Sequence, residues 1–273
     1  TGSLEMTVFS GGEAIKEFLA EFDGWLSEPV AVYLLGGSAM TIQRLKDQTE
    51  DIDLALAVTT EFEHVHQALL QYGFKVIVDL FERQVVGKVW ITDRMRGRAD
   101  EFWTGEHAQA YVLADEDMFL LKAVSGGDLG SGRRRDIEDM RIYAQRGLAY
   151  EAIIEEIEEQ RPFNTGATEA RHIRDRSHPL FAIETAVQSL SGLPTSFTTR
   201  ISALATEFEV EYFVLGAMED GLHEDEEIHD AVLSNVRALS DDDQQAVSEA
   251  IDRLIEKEIV ERDNDSLRLK HST

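Results

Sequence analysis

The sequence predicts an α/β (α+β) chain, with a mixed sheet flanked by helices followed by a mostly helical C-terminal part. Three observations predict it. Apolar Val30 to Leu35 runs straight into Gly36-Gly37, the pattern of a buried strand with a tight exit. Asp51-Ile52-Asp53-Leu54 alternates polar and apolar residues, as a strand with two unlike faces requires. Between and beyond these runs, apolar residues recur at helical spacing.

Taken in order, Gly12 to Leu26 reads as a helix with Ile15, Phe18, Leu19 and Phe22 on one face, leading into the Val30 to Leu35 strand. After the acidic strand, Glu61 to Tyr72 is amphipathic through Phe62, Val65, Leu69 and Leu70, and Gly73 caps it. Short strands then fit Lys75 to Leu80, Gln84 to Ile91 and Arg98 to Trp103. Asp115 to Val124, Arg133 to Gln145 and Tyr150 to Gln160 read as helices. Gly126-Gly127 through Gly132 reads as a flexible connection rather than a phosphate cradle, since no strand precedes it.

The chemistry concentrates in the first two strands. Gly36-Gly37 leaves backbone N–H groups free to approach an anion, and Ser38 adds a hydroxyl there. Asp51 and Asp53 project to one face of their strand while Ile52 and Leu54 project to the other. Two carboxylates beside a phosphate-sized turn suit Mg²⁺, which favours carboxylate and phosphate oxygens.

This strand, Gly-Gly-Ser, helix, Asp-x-Asp-strand order resembles the DNA polymerase β-type nucleotidyltransferase superfamily. More closely, Gly36-Gly37-Ser38-Ala39, Arg44, Thr49 and Asp51-Ile52-Asp53-Leu54 resemble the first motif of the AbiEii/MenT-type nucleotidyltransferases of toxin–antitoxin systems and their uncharacterised relatives. Val112 to Lys122 followed by Arg133-Arg134-Arg135-Asp136-Ile137-Glu138-Asp139 is similar to that family's downstream motif. The resemblance implies a nucleotidyltransferase-fold domain using Mg²⁺ or Mn²⁺ and an NTP. It implies Asp51 and Asp53 as metal ligands, with Gly36, Gly37, Ser38, Arg44 and Thr49 at the nucleotide. Lys122 would contact its phosphates and Asp136 would complete the constellation. A mobile ammonium suits a phosphate, and a carboxylate can orient it. A third acid is expected for two-metal transfer. Asp100 is the first choice because it opens a strand after a basic, turn-rich segment; Asp79 is the alternative.

The expected reaction moves NMP from an NTP to a hydroxyl acceptor. tRNA, a protein hydroxyl and a small molecule are all compatible, and the resemblance tilts toward tRNA or protein with an antitoxin partner. Two alternatives remain: a catalytically silent nucleotide-binding scaffold, and a winged-helix transcriptional regulator.

Composition frames this chemistry. The chain has 273 residues, 43% of them hydrophobic, a net charge of −27, and 7 Lys against 19 Arg. At molar salt the Debye length falls to about 3 Å, so such charge keeps a hydrated surface without large self-repulsion. An extreme halophile, a haloarchaeon, is the expected source; the alternative is an ordinary acidic cytosolic protein. No cysteine is present, which removes disulfides and thiolate metal sites. No apolar run reaches 18 residues and no signal-like segment opens the chain, so the expectation is a cytoplasmic protein with no membrane partner. Thr1 to Glu5 reads as an expression remnant ahead of Met6, and residues 1–6 are left out of the fold reading.

Basic residues are unevenly placed. Arg83, Lys88, Arg94, Arg96 and Arg98 form one window, and Arg133, Arg134, Arg135, Arg141 and Arg146 another. These fit contacts to triphosphate or a nucleic-acid backbone, or else ion pairs with surface acids. The nucleotidyltransferase domain is expected over 7–160, a helical linker region over 161–194 and a helical, winged-helix-like domain over 195–273. His172 and His178 read as surface residues. From Thr195 onward 7 basic residues face 20 acidic ones, so DNA binding by the C-terminal part is disfavoured against protein interaction.

Overall fold

The computed structural model describes residues 8–56, 59–72, 77–81, 84–85, 89–127, 134–160, 179–236, 239, 243–263 and 266–270. It is mixed α/β and falls into two compact units: residues 1–164 with 185–193, and residues 165–184 with 194–273. Among the described residues no helix is long and apolar enough to cross a membrane.

The first unit begins with β1 (Phe9–Ser10) and α1 (Gly11–Asp23), which buries Ile15, Phe18, Leu19 and Phe22. β2 (Val30–Leu35) runs into α2 (Gly36–Ile42), and β3 (Gln48–Thr49) precedes β4 (Asp51–Leu56). α3 (Thr59–Tyr72) leads to β5 (Ile77–Phe81), then to β6 (Gln84–Val85) and β7 (Val89–Trp90). α4 (Asp93–Arg98), β8 (Asp100–Thr104) and β9 (Ala108–Val112) follow. Three helices, α5 (Asp115–Gly127), α6 (Arg134–Ala144) and α7 (Tyr150–Gln160), complete the run.

Five strands form one mixed sheet in the order β5-β4-β2-β9-β8. β2 runs antiparallel to β4 and parallel to β9; β4 and β5 are parallel. Register places Leu34 opposite Leu54 and Val112, and Val32 opposite Leu56 and Ala110. These side chains are buried and share one face of the sheet, which therefore carries the core. Asp53 stands opposite Leu35, so the Asp51 and Asp53 positions belong to the other face.

Three expectations change. Arg98 ends a helix instead of opening a strand. The Thr92 hydroxyl accepts from the Met95 N–H 3.1 Å away and caps α4, while the guanidinium is drawn to buried carboxylates. Residues 84–85 and 89–90 pair with each other in a separate two-stranded ladder. Gly126 and Gly127 continue α5 instead of opening a loop, and a Cβ on Gly126 would sit 2.8 Å from Ile137 Cδ1, so α6 packs closely there and the Ile137 tip would have to shift for a larger residue. Residues 128–133, the rest of that glycine-rich stretch, and 161–178, with His172 and His178, lie outside the described residues.

α8 (Pro179–Gln188) falls across the division between the units. The second unit is built from α9 (Thr195–Glu219), α10 (Asp225–Asn235), α11 (Gln244–Glu256) and an antiparallel ladder of β10 (Val260–Asp263) with β11 (Ser266–Leu269). Glu224, between α9 and α10, bridges to Ser266 and adds a third short strand position. Val214, Ile228, Val232, Val247, Leu254 and Leu267 share its core.

Candidate active site

The strand exit at Leu35 needs a left-handed residue, and Gly36 supplies it with φ +54°. The absent side chain matters as much as the dihedral. A Cβ on Gly36 would overlap Asp53 Oδ2, and one on Gly37 would overlap the Thr49 hydroxyl. That hydroxyl in turn donates to Asp51 Oδ1 at 2.9 Å. The Gly-Gly turn thus lies directly against both acids, with Thr49 fixing one of them. Asp51 and Asp53 are half-buried on alternate positions of β4.

Ser38 departs from its expected part. It is fully buried, and its hydroxyl donates to the Leu35 carbonyl at 2.7 Å, so the hydroxyl proton serves the strand-to-helix turn rather than a phosphate. Arg44 adopts φ +60° just beyond α2 and is exposed, with no ion pair among the described residues.

Lys122 and Asp136 come together 2.7 Å apart, on α5 and α6. Two further groups join them: Asp139, 4% exposed, lies 3.0 Å from Lys122, and Lys46 reaches Asp139 at 2.8 Å. Burial opposes the Lys122 ammonium, but the carboxylates of Asp136 and Asp139 outweigh it and hold its pKa above the ordinary value. Lys46 belongs to the segment between the Gly-Gly turn and Asp51, so this ion pair ties that segment to α6. A second tie runs through Gln43, which accepts from the buried Tyr143 hydroxyl at 2.8 Å and donates to Asp115 at 3.1 Å.

The structure does not bring Asp100 to this group. It pairs with Val112, in the row that continues to Leu34 and Leu54. Asp100 lies on the edge strand three strands from β4, about 14 Å away at ordinary strand spacing, and on the opposite face from Asp53. Asp79 stands instead directly beside Asp53 in register.

Of the basic windows, Arg94 pairs with Glu155, Arg96 with Asp93, Arg98 with Asp117 and Glu156, and Arg146 with Asp115. Arg134, Arg135 and Arg141 are exposed without an ion pair among the described residues. Arg83, Lys88 and Arg133 lie outside the described residues.

Sequence reasoning does not single out Lys46; it names Asp139 only as the end of the downstream motif and Arg98 only as one of a basic window. The scarcity of lysine was the available signal: one of only seven stands between the glycine turn and the acids.

The donor set fits a Mg²⁺ ion. Asp51 and Asp53 alternate on one strand, and one or two carboxylates are what Mg²⁺ takes when substrate phosphates supply further oxygens. The chain was also compared with known proteins, and no family model, curated protein or solved structure matches it.

Proposed function

We propose that the chain is a Mg²⁺- or Mn²⁺-dependent nucleotidyltransferase that moves a nucleoside monophosphate from an NTP to a hydroxyl acceptor. On this reading the first unit carries a nucleotidyltransferase fold of the DNA polymerase β type, close to the AbiEii/MenT branch. The observation that carries it is the packing of the Gly36-Gly37 turn against Asp53 and the Thr49–Asp51 pair. A phosphate-admitting turn and two carboxylates on one strand face are thereby made neighbours.

Asp51 and Asp53 would hold the metal, which when bound neutralises triphosphate charge and acidifies the acceptor hydroxyl. The chain's own groups do the rest. Gly36 and Gly37, without side chains, let Asp53 and Thr49 pack against the turn, whose backbone N–H groups would meet a phosphate. Thr49 orients Asp51, and Lys122, held by Asp136 and Asp139, offers its remaining N–H to phosphate oxygen. Asp79, by its register, is a better candidate than Asp100 for a third carboxylate. A tRNA or protein acceptor, with an antitoxin partner and a cytoplasmic setting, follows the resemblance.

The order of elements in the second unit supports a winged-helix reading: helix, bridge strand, helix, helix, hairpin. Its cations are poorly placed to meet DNA. Arg253 and Lys257 on and after α11 bond the buried Glu211 at 2.7 and 2.9 Å, and Arg262 and Arg268 pair with Asp225 and Asp263. A protein-interaction accessory fits this better than a groove reader.

The test uses NTPs labelled at the α-phosphate, with Mg²⁺, total tRNA and candidate proteins, in molar KCl because of the −27 charge. Label transfer is expected for the native chain and not for Asp53→Asn. Binding of Mg²⁺·NTP without pyrophosphate release, against every acceptor, would instead mark a silent scaffold.

A further inference from the structure

The ammonium groups of Lys46 and Lys122 share one carboxylate. Asp139 Oδ2 lies 3.0 Å from each, and Oδ1 lies 2.8 Å from Lys46. Two 3.0 Å bonds to one oxygen keep the two Nζ atoms within 6 Å of each other. Stapling the segment before β3 to α6 needs only one such lysine, and a second cation so close adds repulsion. In a chain with 53 acids and seven lysines, placing two of them on one buried acid calls for another purpose.

Donor capacity points to it. An ammonium has three N–H donors. Among the described residues Lys46 bonds only Asp139, through both carboxylate oxygens, and its side chain is 32% exposed, so its three donors are not all taken by that acid's two oxygens. Lys122 spends donors on Asp136 and Asp139, its two partners among the described residues, and an ammonium has a third. The Lys46 backbone is fixed on both sides: its own N–H bonds the Met40 carbonyl at 3.3 Å, and the Asp47 carbonyl accepts from Gly11 at 3.1 Å. Two neighbouring ammonium groups with spare donors, one on the segment that also carries Gly37 and Thr49, match an anion with several charged oxygens in a row.

We propose that Lys46 is a second polyphosphate-binding lysine, acting beside Lys122 on the triphosphate arm of an NTP, with Asp139 positioning both. The proposal rests on the nucleotidyltransferase reading of the site. It assigns to Lys46 a contact with ligand, whereas a purely structural ion pair would affect only stability.

The experiment titrates Mg²⁺·tripolyphosphate, and separately Mg²⁺·NTP, into the full chain in 1 M KCl. Lys46→Gln should weaken both ligands at least about tenfold, and Lys46→Arg should recover most of the loss. On the native chain, Mg²⁺·tripolyphosphate should slow acetylation of Lys46, read by mass spectrometry, and this arm needs no variant to fold. Native-like affinity in folded Lys46→Gln, or unchanged acetylation of Lys46 under saturating ligand, would overturn the proposal and leave the nucleotidyltransferase reading standing. If the native chain binds neither ligand, both fall.

Discussion

Arg98 and Lys122 both stand among carboxylates of the helical layer of the first unit, yet their surroundings differ in kind. Arg98 joins Asp117 of α5 to Glu156 of α7, and these acids are 1% and 0% exposed. Glu156 also accepts from the Thr92 hydroxyl at 2.6 Å and the Gln160 amide at 3.2 Å. One cation thus serves two acids, and every carboxylate oxygen of Glu156 has a donor. Around Lys122 the count among the described residues is two cations to two acids, and the side chains are 4 to 32% exposed. A closed, fully satisfied cluster holds helices together; a balanced, partly exposed one has the capacity to exchange partners with a ligand.

The largest effect should separate the two clusters by stability. Arg98→Ala leaves two buried carboxylates facing each other and should cost about 3–5 kcal/mol in denaturant unfolding. A loss under about 1 kcal/mol would mean that water already reaches the cluster.

The next effect is in pH. Burial pushes Asp117 up to about 6, against the pull of Arg98 that favours its charged form. Its folded pKa lies above its unfolded value, so the folded chain binds that proton more tightly. The stabilisation from this group is complete below about pH 4 and is lost as pH rises through about 6, on the order of 3 kcal/mol. Asp117→Asn should flatten unfolding free energy across that window. Equal slopes in native chain and variant would assign the titration to another group.

The smallest stability effect falls on Lys122→Ala. Asp139 keeps Lys46, so the cost should be about 1–2 kcal/mol, while Mg²⁺·NTP affinity should drop at least about tenfold. Loss of stability with affinity unchanged would reverse the roles assigned to the two clusters.

What could be read from the sequence was local. The alternation of Asp51 and Asp53 and the glycine exit at Gly36 are written in neighbouring residues, and strand period and backbone sterics turn them into geometry directly. Lys122 and Asp136 were found only through the resemblance, since nothing in helical spacing makes α5 meet α6 there. Asp100 was misjudged for a different reason. Its strand does follow a basic segment, but strand order is set by distant pairings: β9 takes the open side of β2, and β8 pairs with β9. No local pattern around Asp100 encodes that it stands at the far edge. Arg98 reads as strand in the sequence because nothing nearby shows its partners, Asp117 and Glu156, 19 and 58 residues away. Lys46 went unnoticed for the same cause, its partner being 93 residues on.

The most direct test of the account is calorimetric titration of NTP, with and without Mg²⁺, into the native chain and into Asp51→Ala/Asp53→Ala at 1 M KCl. Binding that requires Mg²⁺ is expected in the native chain, and its disappearance is expected in a variant that remains folded. Unchanged Mg²⁺·NTP affinity in that variant would contradict the account.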